Sequence, residues 1–353
     1  MIRYQANGKI LKSILHKNRI IYRFNQETIL ELRLKKYKFV IQKIPELGIF
    51  ISVIALFFMF NYANESMSEI STLVRMATQG TCIGFAAYGM SYLMITGEID
   101  LSSGATAGFA AAITGLMLES GASELSAYSV ALLAAIGVGI LNSIMTIIIG
   151  IPSFFGTLGT SFAVGGLVIW LLKGRWIYTG DDIPTLDALF SSSPFLDLPW
   201  IFLFYVLLVL IGDLIVRTSK VGIYLKATGG NEVSAKIAGI QTSRIKAICF
   251  IFTSLNCGLA GILVMGYSGT TVAEIGIDWI LWVIAIAIIG GGSLRGGIGS
   301  IIGTFLGVCL IQVIRMGLIN AEIQTNAQRI VVGFILIAAA TFDALKAKGI
   351  EGQ

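Results

Sequence analysis

Apolar runs close to twenty residues long recur along nearly the whole of this 353-residue chain. A helix needs about 20 such residues to cross the hydrocarbon core of a bilayer. Ten runs qualify, at about 46–63, 78–96, 100–118, 127–150, 153–172, 199–216, 247–267, 279–292, 298–318 and 329–345. They predict an all-α integral membrane protein with about ten transmembrane helices. The eighth run is short and ends in glycine, so it reads as a full crossing or as a half-helix. Composition points the same way. The chain is 56% hydrophobic and 13% charged, against about 25% charged in soluble domains.

Charge fixes the expected threading. Residues 1–46 hold eleven Lys or Arg against three Glu, while the whole chain nets +5. Residues 217–246 hold six basic residues and one acidic residue, Glu232. Positive loops stay on the cytoplasmic side. Ten crossings then put the amino end, the 217–246 loop and the 346–353 tail together in the cytoplasm. The expected layout is a basic arm (1–46), a transmembrane body (47–345) and the tail. Within the arm, Leu30, Leu34, Tyr37, Ile41 and Ile44 recur at helical spacing, as for a helix lying on the membrane or docked to the body. A basic arm on a membrane body gives no reason to expect nucleic-acid binding.

Four stretches interrupt the apolar pattern. GEIDLSSG (97–104) carries Glu98 and Asp100, and charges in such a region are costly. Asp100 suits the positive end of the following helix. Gly104 and Gly108 form a GxxxG face for close packing. In IPSFFGTLGT (151–160), Pro152 is placed to open a helix. Phe154, Thr157 and Gly159 follow it, at a junction that either packs or faces a pathway. GGNEVSAKIAGI (229–240) reads as a Gly229–Gly230 turn, an Asn231 cap, Glu232 in the first turn and a helix ended by Gly239. Such a short helix docks on the protein's own body or on a cytosolic partner. GGGSLRGG (290–297) precedes Gly299, Gly303 and Gly307, a bare helix face. GEIDLSSG and GGGSLRGG align without gaps, which suggests two structurally related halves, a common transporter design.

In this order and spacing, the four stretches resemble the permease subunit of ribose/simple-sugar ABC importers. The likeness covers about residues 47–345. It departs from the family at Phe155, Gly156, Arg295 and the long basic arm. The resemblance implies a permease that pairs with a second permease, identical or a sister chain. It also implies an extracytoplasmic sugar-binding protein and a cytosolic ABC ATPase that holds the ATP and Mg. By the same likeness, residues 229–240 are the helix that couples to the ATPase, through Gly229, Gly230, Asn231, Glu232, Ala235, Ala238 and Gly239.

The inventory leaves little for catalysis. There is no GxxxxGK[ST] phosphate loop, so no cofactor and no ATP hydrolysis are expected in this chain. The one histidine, His16, lies in the arm. Cys82, Cys249, Cys257 and Cys309 fall in apolar runs without CxxC spacing, so no metal site or disulfide framework is expected. An ion- or proton-coupled secondary transporter is the alternative. It would need ionisable groups deep in the spans, and only Asp213, Arg315 and Asp343 lie near them, at predicted span ends.

Overall fold

The computed structural model describes residues 46–324 apart from 180–182, 194 and 196, with scattered positions between 330 and 341. The chain divides into two compact units, 1–48 and 49–353. The arm helix expected within 1–46 lies outside the described residues.

The described part of the second unit is helical. Its helices are α1 (Leu47–Ala63), α2 (Ile70–Ile95), α3 (Ser103–Glu119), α4 (Glu124–Ser143, continued by a π turn Ile144–Ile148) and α5 (Ser153–Leu172). Then come α6 (Pro184–Phe190), α7 (Trp200–Thr218), α8 (Lys220–Gly230), α9 (Glu232–Ile237), α10 (Thr242–Ser268), α11 (Trp279–Ile289) and α12 (Ile301–Asn320). A two-residue antiparallel pair joins β1 (Ile177–Tyr178) to β2 (Thr270–Thr271). In a bilayer every backbone N–H and C=O must be satisfied within its own segment, which is why apolar runs become helices. Polar residues set several starts. Ser123 accepts from Ser126 N–H, Ser219 from Val221 and Gly222, and Ser300 from Gly303.

Among the described residues, five helices are long and apolar enough to cross a membrane: Glu124–Ile148, Ser153–Leu172, Trp200–Thr218, Thr242–Ser268 and Ile301–Asn320. Expected runs one to nine each coincide with a helix; the tenth, 329–345, lies largely outside the described residues. Three boundaries differ from expectation. α2 begins at Ile70 rather than near 78, and α10 begins at Thr242, inside the expected loop. Helix α5 starts at Ser153, with Pro152 one residue outside as its N-cap. The eighth run is an 11-residue helix. At 1.5 Å per residue that is about 16 Å, roughly half of a bilayer core.

Helices α2 and α10 form the centre. From Gly80 to Ile95 every residue of α2 is buried. It packs on α10, α11, α12 and α7, and α10 also packs on α3 and α4. Its low apolarity (Thr78, Thr81, Ser91) follows from protein neighbours replacing lipid. Thr78, Thr81 and Ser91 return their hydroxyls to the carbonyls of Val74, Ala77 and Ala87.

Packing in a membrane has no hydrophobic drive between helices and depends on close van der Waals fit, which favours small residues. A side chain at Gly104 would strike the Gly276 carbonyl, and one at Gly108 the Ile275 carbonyl. Gly303 lies on the Gly290 carbonyl and Gly307 on that of Ile286, so α12 rides directly on α11. Gly299 abuts the Ile95 side chain. Gly159, by contrast, has nothing within 4 Å of the added carbon.

Gly303→Ala should therefore cost about 1–3 kcal/mol through overpacking, and Gly159→Ala should not lower stability. Thermal unfolding of the detergent-solubilised chain checks both, followed by a thiol dye that reports exposure of the buried Cys82, Cys249 and Cys257.

Candidate functional site

Three glycine-rich segments converge at one end of the bundle. Gly229 and Gly230 are the last residues of α8 rather than a free turn, and the extended residue Asn231 separates α8 from α9. A side chain at Gly229 would overlap the Ile95 carbonyl at the end of α2 and lie 2.5 Å from Gly297 N. Gly297 N–H donates to that same carbonyl at 2.9 Å. A carbon added at Gly296 would lie 2.7 Å from Gly97 Cα and 2.9 Å from the Gly229 carbonyl. Backbone meets backbone here, which only glycine permits. GEIDLSSG, GGNEVSAKIAGI and GGGSLRGG thus touch, although they are far apart in sequence.

Charge locks the same place. Lys246 Nζ stands 2.8 Å from Glu98 Oε1 and 2.7 Å from Glu232 Oε2. Glu232 also takes Lys236 at 2.9 Å and the Thr242 hydroxyl at 3.1 Å. Hydrogen bonds from Lys246, then from Lys236, hold the Glu232 carboxyl down at about 2. Lys246 is therefore a pin joining the first turn of α9 to the turn between α2 and α3.

Helix α9 itself is divided. Asn231 caps it through Ser234 N–H at 2.9 Å, and Gly239 follows it with φ +84°. Ala235 is buried at 4% exposure. Ala238 and Gly239 are exposed. Val233 and Ile237, one turn apart, stand out at 69% and 84% exposure. The face available to another molecule is thus Val233–Ile237, with Ala235 and Glu232 turned toward the protein.

The other expected site residues fall into two groups. Asp100 and Thr157 are fully buried. Asp100 Oδ1 accepts Ser102 N–H at 2.7 Å, two residues on, while Ser102 is the N-cap of α3. Asn142 Nδ2 reaches Asp100 Oδ1 at 3.3 Å and Ser102 Oγ at 2.8 Å. Thr157 Oγ1 takes Leu101 N–H at 2.9 Å. These residues knit the α2–α3 turn to α4 and α5. Pro152, Phe154 and Gly159 lie on the exposed side of α5, with Phe154 and Phe155 edge to face at 5.3 Å. Among the described residues no group of three or more His, Cys, Asp or Glu gathers where a metal could be held.

Residues 72–340 match the family model described as "Branched-chain amino acid transport system / permease component". The chain belongs to this permease family. Among its relatives is the autoinducer 2 import system permease protein LsrD of Photorhabdus laumondii, 28% identical over 80% of this chain and 85% of the relative. Another is the corresponding LsrC protein, 28% identical over 86% and 90%. LsrC of Yersinia enterocolitica is 29% identical over 88% and 85%. No solved structure matches the chain. The likeness to simple-sugar ABC importer permeases, drawn from the ordered motifs, is borne out at the level of the family, and the relatives are transport subunits rather than enzymes.

Sequence reasoning did not single out two residues of the permease's junction network, Lys246 and Asn142. Lys246 was one basic residue among six in a loop. A signal existed: it is the fifth residue of α10, near the positive end of a helix, where a cation is disfavoured and a carboxylate partner is needed. Asn142 sits in an apolar run and only the fold brings it to Asp100.

The Glu232 carboxyl makes a pH prediction. Its folded value lies below the ordinary 4.5, so its contribution to stability is full above about 4.5 and fades as pH falls towards 2. Acid unfolding of Glu232→Gln should lose that part of the wild-type slope between pH 4.5 and 2. An unchanged slope would show the pin absent.

Proposed function

We propose that this permease is the membrane subunit of an ATP-driven importer that moves a small sugar or sugar-derived solute by alternating access. The observation that carries this reading is α9. It is a capped helix whose apolar residues Val233 and Ile237 project outward, while its base is pinned by Lys246 to the α2–α3 turn. A protein that works alone has no use for an exposed apolar tip anchored so firmly. In this reading the tip enters a cleft of a cytosolic ABC ATPase. Closure of the ATPases on ATP and Mg pushes Glu232, Lys246 passes the push to Glu98, and α2 and α3 tilt.

The finer parts of the reading follow from the resemblance and the relatives. The relatives are named for autoinducer 2 import, and the family is named for branched-chain amino acids. The GEIDLSSG motif favours the sugar-type cargo, a ribose-like monosaccharide or a derivative. Ten crossings with both termini in the cytoplasm agree with the loop charges. Contact between Gly97 and Gly296 supports two related halves, since corresponding turns of the two repeats meet. A second permease, identical or sister, and an extracytoplasmic sugar-binding protein complete the assembly in the bacterial cytoplasmic membrane.

The ion-coupled alternative loses Asp213 to structure. Asp213 Oδ2 pairs with Arg217 at 2.6 Å, and its Oδ1 accepts Ile302 N–H at 3.3 Å, capping α12. Asp343 lies outside the described residues.

Ile237→Asp should abolish capture of the ATPase from native membranes and leave the thermal midpoint unchanged. Ala235→Arg should lower that midpoint, because Ala235 is buried. Undiminished capture by Ile237→Asp would overturn the docking assignment.

A further inference from the structure

Asp100 lies fully buried in the turn between α2 and α3, and no counter-charge meets it. Among the described residues no lysine or arginine reaches ion-pair distance of its carboxyl. Glu98, two residues earlier in the same turn, has Lys246 instead. The elements packed around Asp100 bring no positive charge to it. Helix α10 presents the Cys257 thiol, hydrogen-bonded to Ser103. Helices α4 and α5 present Asn142, Ser153 and Thr157, none of which titrates. The segment against Gly104 carries Asp278, which is acidic. Arg295 approaches Gly97 through its carbonyl and is exposed. A carboxylate alone in such an interior neutralises rather than persists as an ion.

The hydrogen bonds of Asp100 are lopsided. Its Oδ1 accepts Ser102 N–H at 2.7 Å, the Ser102 hydroxyl, and Asn142 Nδ2 at 3.3 Å. Its Oδ2 is buried without a partner. An ionised carboxylate is acceptor-only and offers two equivalent oxygens, whereas a protonated one offers an accepting oxygen and an O–H donor. Three donors on one oxygen and none on the other match the protonated form. The start of α3 favours negative charge nearby, but it acts on Oδ1, an acceptor in either form. The acceptor that an O–H would need is on the same partner. Asn142 is fully buried, its Nδ2 is held by Asp100 Oδ1 and Ser102 Oγ, and its own Oδ1 is unpartnered. A carboxyl and a primary amide, already joined by one N–H···O bond, thus leave one orphan oxygen each. A single proton satisfies both oxygens and removes the charge. A water molecule would serve the oxygens and leave the charge in place.

We propose that Asp100 binds a proton on Oδ2 and donates it to Asn142 Oδ1, so that a neutral acid–amide pair joins the α2–α3 turn to α4. The ligand of this site is a proton, which needs no cavity. The assignment does not depend on what the permease carries. The turn then has two anchors of different kinds, a charged one at Glu98 against Lys246 and a neutral one at Asp100 in the interior.

The test uses the full-length chain in lipid nanodiscs at neutral pH and compares infrared spectra of the wild type and Asp100→Asn. The wild type should show a carboxylic-acid C=O band that Asp100→Asn lacks. The amide of this variant supplies an N–H donor in place of the acid O–H, so its thermal midpoint should stay at the wild-type value. In Asn142→Leu the acid band should move to higher frequency, because its O–H has lost its acceptor, and the midpoint should fall. If Asn142→Leu fails to fold, Asp100→Asn decides alone. Absence of an acid band that Asp100→Asn removes overturns the proposal. An Asp100→Asn chain that fails to fold or melts lower also overturns it, since the ionised form is then the one required. A midpoint that rises with sodium in the wild type and not in Asp100→Asn overturns it as well, placing a cation where the proton is assigned.

Discussion

A lysine at the start of a membrane helix faces the wrong helix dipole and a poor solvent. Lys246 is tolerated because two carboxylates from distant parts of the chain close on it, Glu98 at 2.8 Å and Glu232 at 2.7 Å. Exposed ion pairs contribute little, but Lys246 is shielded, with 13% of its side chain exposed. Removing it would leave two carboxylates side by side. The pairing also requires α8, α9 and the α2–α3 turn to be in register. The glycine contacts among Gly97, Gly229, Gly296 and Gly297 supply that register. Charge and backbone fit therefore specify the same arrangement.

Helix α11 ties this junction to the rest of the molecule. Its carboxyl end runs into GGGSLRGG and the junction, and its amino end borders a polar cavity at Trp279. Along its length it is seated on α12 through Gly303 and Gly307. A strut of 11 residues in direct backbone contact with its neighbour can slide or tilt as a unit, because small residues present few side-chain ridges to climb. The half-helix thus joins the glycine junction at its carboxyl end to the irregular segment 272–278 at its amino end.

Much of this was legible in the sequence. Apolar runs announced the helices because in a bilayer the backbone has few other options. Asn231 and Gly239 marked the ends of α9 through capping chemistry that is local. Other features were hidden for identifiable reasons. Gly229–Gly230 looked like a turn, but their smallness serves contact with Ile95 and Gly297 rather than chain reversal. Asp100 reads in the sequence as a cap for the following helix and Thr157 as part of a junction that packs or faces a pathway; that both are buried in one hydrogen-bonded knot with Ser102 and Asn142 appears only in the fold. The Lys246 pin spans 148 positions to Glu98 (246 minus 98), and no periodicity reaches that far. The resemblance implies that Ala235 couples to the ATPase, whereas the packing of α9 on its neighbours buries it.

The most direct measurement of the account is the number of ATP molecules hydrolysed per solute imported in proteoliposomes holding the complete transporter. Wild type, Lys246→Arg and Lys246→Met would be compared. The account predicts that Lys246→Met still binds its ATPase and hydrolyses ATP while import collapses, and that Lys246→Arg, which keeps the charge, restores most of it. Import by Lys246→Met at the wild-type ratio would contradict the claim that force passes through this pin.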